Sequence, residues 1–262
     1  MSNQTIDIGP LRPLDARSVV LSTLLGTDPP RMPVARLVRA GEIFGLRPGT
    51  VRTALTRMVQ RGELRVDEQR RYRLDGALLD RQVRQSASVH ASTLDWDGRW
   101  RVGVVTASTR DALDRRRLRG ALTALRFAEQ REGVWTRPDN LASGAPAAVA
   151  IADNQCYWYD AHPMGDDAEL AAALWDLEEW ATQATRLRRA MAALAGRLEA
   201  GDQPALADGF VLSAAVLRHL QADPLLPREL LPRTWPGASM RREYADFDAG
   251  YRESLAIWFR ME

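Results

Sequence analysis

Lysine is absent from this chain of 262 residues, so all 36 of its basic side chains are arginine. Cysteine occurs once, at Cys156, and histidine three times, at His90, His162 and His219. A single thiol excludes an internal disulfide framework and any cysteine-rich metal site. Three histidines so far apart match no metal-ligand spacing, and no metal or cofactor is expected. No apolar run approaches the ~20 residues that a membrane helix needs. The opening MSNQTIDIGPLRP has no basic segment followed by an apolar one, so a cytoplasmic location and no membrane partner are the expectation. A GC-rich genome would account for arginine in place of lysine without any functional reason. The physical consequence is that every cation here forks phosphate and guanine better than lysine would.

What is present is a globular composition, 45% hydrophobic, with charge unevenly spread. Residues 1–80 carry 13 arginines against nine acids, residues 81–137 carry 12 against six, and residues 138–262 carry 11 against 19. A basic front and an acidic back fit a DNA-facing half with a regulatory or dimerising half behind it.

The chain is organised around Ile43 to Leu74. Gly45, Leu46 and Arg47 break a preceding apolar helix that opens at Pro33, with Val34, Leu37, Val38, Ile43 and Phe44 as its buried stripe. Pro48 and Gly49 open the next helix, where proline's missing N–H costs nothing. Val51, Ala54, Leu55 and Met58 then recur at helical spacing, while Arg61-Gly62 closes the helix. Its polar face holds Thr50, Arg52, Thr53, Thr56, Arg57 and Gln60, and between Val51 and Gln60 there is no carboxylate. An ordinary solvated helix would mix acids with its arginines. A helix that enters a major groove must exclude them, because Arg reads guanine, Thr methyls meet thymine, and Gln bonds bases or phosphates. Alternating Leu64, Val66, Tyr72 and Leu74 predict a two-stranded wing with Asp67 to Arg71 between its strands. This is the pattern of a winged helix-turn-helix. It makes Arg47, Thr50, Arg52, Thr53, Thr56, Arg57, Gln60, Arg70 and Arg71 the candidate DNA-binding residues, with double-stranded DNA as partner.

The expected fold class is α+β in sequential parts. These are a winged helix-turn-helix in residues 1–75, a linker helix in 76–95, a ferredoxin-like middle domain in 96–165, and a helical C-terminal domain in 166–262. Met1–Pro13 is expected to be an arm, and Asp15 to cap a helix from Ala16 to Leu25. The linker helix offers Leu78, Leu79 and Val83 against Arg81 and Arg84, a mixed face suited to pairing two subunits. In the middle domain, Arg99–Ala107 reads as a central strand, Thr109 caps an arginine-rich helix over Asp111–Phe127, and Gly133–Thr136, Ala147–Ala152 and Gln155–Tyr159 read as further strands. Beyond it come helices over Asp166–Leu198, Ala205–Ala222 and Ser239–Phe259, with a proline-punctuated connection before the last.

Three blocks give the chain a resemblance to a known family. They are VRTALTRMVQRGEL (Val51–Leu64) with RRYRL (Arg70–Leu74); WDGRWRV (Trp96–Val102) with RRRLRGALTAL (Arg115–Leu125) and GVW (Gly133–Trp135); and LWDLEEW (Leu174–Trp180) with DPLLPRELLPRTWPG (Asp223–Gly237). Together they resemble the PaaX-type transcriptional repressors of phenylacetate catabolism. The resemblance implies a cytoplasmic, homodimeric, DNA-binding repressor whose inducer is an aryl-CoA thioester, phenylacetyl-CoA. It also implies a Cas2-like middle domain. Where family members carry an Asp and a Pro after the central strand, this chain has Thr106-Ala107-Ser108, and where they carry Gly-Phe it has Arg126-Phe127. A metal-dependent nuclease needs a carboxylate at that strand end to hold its cation.

No enzyme is expected. The best nucleophile and base on offer, Cys156 and His162, lack a third orienting group. An aryl- or acyl-CoA effector would need cations and aromatic walls, for which Arg115, Arg116, Arg119, Trp135, Trp158, His219 and Trp235 are the candidates. The reading is therefore a regulator released from a palindromic operator by such an effector. The alternatives are an acyl-CoA hydrolase or thioesterase that uses the winged helix for protein contacts, and an architectural DNA-binding dimer without effector.

Overall fold

The computed structural model describes residues 14–27, 29–90, 93–106, 111–142 and 144–260. The expected arm Met1–Pro13, the helix cap at Thr109 and the side chains of Val83 and Arg84 lie outside the described residues.

Helix α1 (Ala16–Leu25) starts where the Asp15 carboxylate accepts from the Ser18 N–H. Strand β1 (Arg31–Pro33) follows, then α2 (Val34–Glu42), α3 (Pro48–Gln60), β2 (Leu64–Val66) and β3 (Arg71–Leu74). The strands form one antiparallel sheet in the order β1-β3-β2. Strand β1 was not expected, because Arg-Met-Pro is too short and too polar to announce itself. The turn between α2 and α3 needs Gly45 at φ 68, with the Leu46 N–H donating back to the Gly41 carbonyl. Gly41 is required for a different reason: a Cβ there would sit 2.6 Å from Val51 Cγ2, so the two helices could not cross so closely. Val51, Leu55 and Met58 of α3 are buried with Leu24, Leu37, Leu64 and Leu74 in one core. Val34 departs from the expected stripe and is exposed. Bidentate hydrogen bonds from Arg17 to Glu63 tie α1 to the end of α3. Helix α4 (Ala77–Val89) fills the expected linker segment.

The middle of the chain runs β4 (Trp100–Val105), α5 (Ala112–Ala124), β5 (Ala128–Arg131), β6 (Val134–Pro138), α6 (Pro146–Asp153), β7 (Cys156–Ala161) and α7 (Asp167–Leu174). The sheet order is β5-β6-β4-β7, antiparallel throughout, which is the ferredoxin-like β-α-β-β-α-β arrangement. Two expectations are corrected. Ala147–Ala152 is helical, not a strand: Pro146 sets the first turn, and an alanine-rich run of this length satisfies either period. The strand that replaces it, β5, is a polar segment that showed no alternation. Helix α5 ends in the same hydrogen-bond pattern as the α2 turn, with Arg126 at φ 67 in the place where the resembled family has glycine.

Helices α8 (Leu177–Glu199), α9 (Pro204–Gln221) and α10 (Gly237–Trp258) complete the chain. The expected continuous helix Asp166–Leu198 is broken between α7 and α8. Trp175 is extended there, its ring joining Trp96 and Trp100 in a separate aromatic core, and Asp176 caps α8. The chain forms two compact units. One comprises residues 1–90, 183–221 and 237–262, and the other residues 91–182 and 222–236. Within the first unit α4 packs on α9 and α9 on α10. The winged helix is held to these helices by Phe44 edge-on to Phe210 at 4.9 Å, and by Arg39, whose guanidinium lies 4.5 Å from the Trp258 ring centre. Among the described residues no helix is long and apolar enough to cross a membrane.

Candidate nucleic-acid interface

Packing one face of α3 into the core turns its other face outward. Thr50, Arg52, Thr53, Thr56, Arg57 and Gln60 are all exposed, as is Arg47 just before the helix. Arg47, Arg52 and Arg57 make no ion pair with any described residue. The Thr53 hydroxyl donates to the Gly49 carbonyl at 2.9 Å, and that of Thr56 to the Arg52 carbonyl at 3.1 Å. Each threonine therefore spends its proton on its own helix and is left with a methyl and a lone pair, which suits thymine methyls and base amino groups. Glu63, the acid that follows the helix, is neutralised by Arg17.

The two arginines expected at the wing tip differ. Arg71 is tied down: it donates to Asp67 Oδ2 at 2.8 Å and to Gln69 Oε1 at 2.7 Å. Desolvation works against the Asp67 charge, but the backbone and side chain of Arg71 outweigh it and hold the carboxyl below its ordinary value. Arg70 is exposed at the turn, with φ 57.

Of the candidate effector residues in residues 91–182 and 222–236, three share a recess and the others do not. Arg115, Arg119 and Trp135 line one recess of about 120 Å³ with Leu118, Glu129, Glu132 and Gly133, and the Arg119 guanidinium lies 5.2 Å from the centre of the Trp135 ring. Arg116 is exposed on α5 outside that lining. Trp158 packs on Phe127 and donates to Asp153, and Trp235 stacks on Trp180 at 4.5 Å. His219 lies on α9. Trp158 and Trp235 are partly buried against neighbouring cores, as dense aromatics commonly are, while Trp135 is buried and also lines the recess. The recess is well below the ~300–1,000 Å³ of pockets that enclose a drug-sized ligand.

Cys156 is buried at one end of β7 and His162 follows the other end, so roughly 20 Å of extended strand separates thiol from imidazole. No cluster of three potential metal ligands exists among the described residues.

Residues 15–78 match the family described as PaaX-like protein. Residues 93–179 match the PaaX protein central Cas2-like domain, and residues 175–257 the PaaX-like protein C-terminal domain. The uncharacterized protein Rv0674 from Mycobacterium tuberculosis is similar in both fold and sequence. Its TM-score is 0.71 at 40% identity, over 94% of this chain and 99% of that one. No curated protein matches the chain.

Proposed function

We propose that this chain, which belongs to the PaaX-like protein family, is a transcriptional repressor that binds a palindromic operator as a homodimer and is released by an aryl- or acyl-CoA effector. The observation that carries the reading is the outward face of α3, which is exposed, free of acid and holds Arg52, Thr53, Thr56 and Arg57. Arg47, Thr50 and Gln60 extend that face, and Arg70 is the wing-tip contact. A dimer follows from the size of the reading head. One winged helix covers about half a site, and useful affinity needs two, held one helical turn (~34–36 Å) or a multiple apart. The effector class rests on the family resemblance. The Arg115–Arg119–Trp135 recess adds no support, since its volume leaves no room for the acyl chain and two acids share its lining, Glu132 and the Glu129 that pairs with Arg119.

The test is a gel shift of full-length protein with duplex fragments from beside its own gene, with phenylacetyl-CoA or free phenylacetate added. The expected result is a retarded complex that the thioester dissolves and the free acid does not. A complex indifferent to every CoA thioester removes the effector and leaves the DNA reading. Failure to retard any fragment overturns both.

A further inference from the structure

The register of the wing sheet puts three arginines in one row. Arg31 on β1 lies directly opposite Arg73 on β3, and Arg73 lies directly opposite Arg65 on β2. Directly opposed residues of antiparallel strands point to the same face. In this sheet the other face carries Met32, Leu64 and Leu74, all buried against the helices, so the arginine row looks outward; all three members are exposed. Arg71, opposite Pro33, lies on the same outward face.

Like charges directly opposed across a sheet are destabilising, and alternating acids would be the ordinary remedy. The acids present reach only two of the four arginines. Asp75 pairs with Arg65 at 2.6 Å and Asp67 with Arg71 at 2.8 Å. Among the described residues no carboxylate pairs with Arg31 or Arg73. Between Arg31 and Arg73 the row therefore holds a repulsion that no described carboxylate relieves, on strands that lie about 4.8 Å apart. A polyanion laid across the strands would relieve it.

We propose that the outward face of the wing sheet, through Arg31 and Arg73 with Arg65 beside them, is a second DNA contact that grips the phosphate backbone independently of base sequence. This rests on the reading that the winged helix binds duplex DNA, and it moves the main electrostatic contact of the wing from its tip to its face. Arg71 cannot supply that contact while it is bound to Asp67 and Gln69. The face reads no bases, so it adds affinity and salt dependence equally on specific and random duplex.

The experiment measures binding of the full-length protein to a random-sequence duplex over a range of KCl concentrations. Wild type is compared with Arg31→Ala/Arg73→Ala and with Arg31→Lys/Arg73→Lys, and each protein is also melted without DNA. The alanine pair should flatten the slope of log K against log salt by about 1.8, close to 0.9 for each phosphate no longer neutralised. The lysine pair should keep the slope, and the alanine pair should melt no lower than wild type, because a repulsion has been removed. An alanine-pair slope equal to that of wild type overturns the proposal while leaving α3 as the reading helix. So does a lysine pair that loses as much as the alanine pair, or an alanine pair that melts well below wild type. A wild-type protein that binds no duplex at any salt overturns the DNA reading itself, and the arginine face with it.

Discussion

Arginine is paired through much of the ferredoxin-like domain, whereas the winged helix pairs Arg17, Arg39, Arg65 and Arg71 but leaves a larger set of exposed arginines without a carboxylate. In the latter, Arg99, Arg101, Arg117, Arg119 and Arg137 each lie within 4.0 Å of a carboxylate, from Asp97, Asp139, Asp114, Glu129 and Asp139 respectively. In the winged helix, Arg31, Arg47, Arg52, Arg57, Arg70 and Arg73 are exposed and have no such partner among the described residues. By formal charge residues 81–137 are the more basic stretch, with 12 arginines against six acids, and charge alone would have sent DNA there. The proposed site rests on pairing instead, because a cation already satisfied by a carboxylate gains little from a phosphate, whereas an unpaired one gains a charge-assisted bond. Arg137 is the extreme case of an inward-facing cation. It is buried, donates to the Leu125 and Leu141 carbonyls and lies over Phe127; desolvation pushes its pKa down to about 10.

The contrast can be broken by moving the same substitution between the two regions. The largest effect is expected in α3. Arg52→Ala with Arg57→Ala should weaken operator binding by about 1–3 kcal/mol for each residue that reads a base, while stability shifts by no more than about 0.5 kcal/mol. Fluorescence anisotropy and thermal melts read the two quantities. Next is Arg137→Ala, whose signature is reversed. Losing two charge-assisted bonds in a buried place should cost about 1–3 kcal/mol of stability, with the DNA salt slope unchanged. A loss of DNA affinity without loss of stability would merge the two classes of arginine. The smallest is Arg119→Ala. Arg119 itself is solvent-exposed although its partner Glu129 is mostly buried, so denaturant melts should move by about 1 kcal/mol, and DNA binding should not change. These substitutions belong in the full chain. α9 and α10 pack in the same compact unit as the winged helix, so cutting the chain after His90 would strip Phe210 from Phe44 and Trp258 from Arg39.

Helix α3 was legible because its signals are local: proline at its first position, apolar residues at i, i+4 and i+7, a glycine stop, and an acid-free outer face. The elements that were misread depend on distant residues. β1 and β5 are short and polar and exist because β3 and β6 offer them an edge. The break before α8 exists because Trp175 is drawn into the Trp96–Trp100 core, which no periodicity within Asp166–Leu198 records. Gly209 looks like a flaw in α9 until the Tyr251 ring is seen against it, 2.7 Å from where a Cβ would stand. The site divides in the same way. Which α3 side chains face outward could be counted from the sequence. That Arg71 is occupied while Arg31, Arg73 and Arg65 share a row depended on a sheet register and a turn geometry that sequence did not determine.

The central claim is that the outer face of α3 reads base sequence. Selection of bound duplexes from a random pool, by the wild-type protein and by Arg57→Ala in parallel, tests it most directly. The account predicts that wild type enriches a defined motif, and that Arg57→Ala enriches the same motif with preference lost at one position of each half-site. An identical motif from both proteins, every position kept, would contradict it.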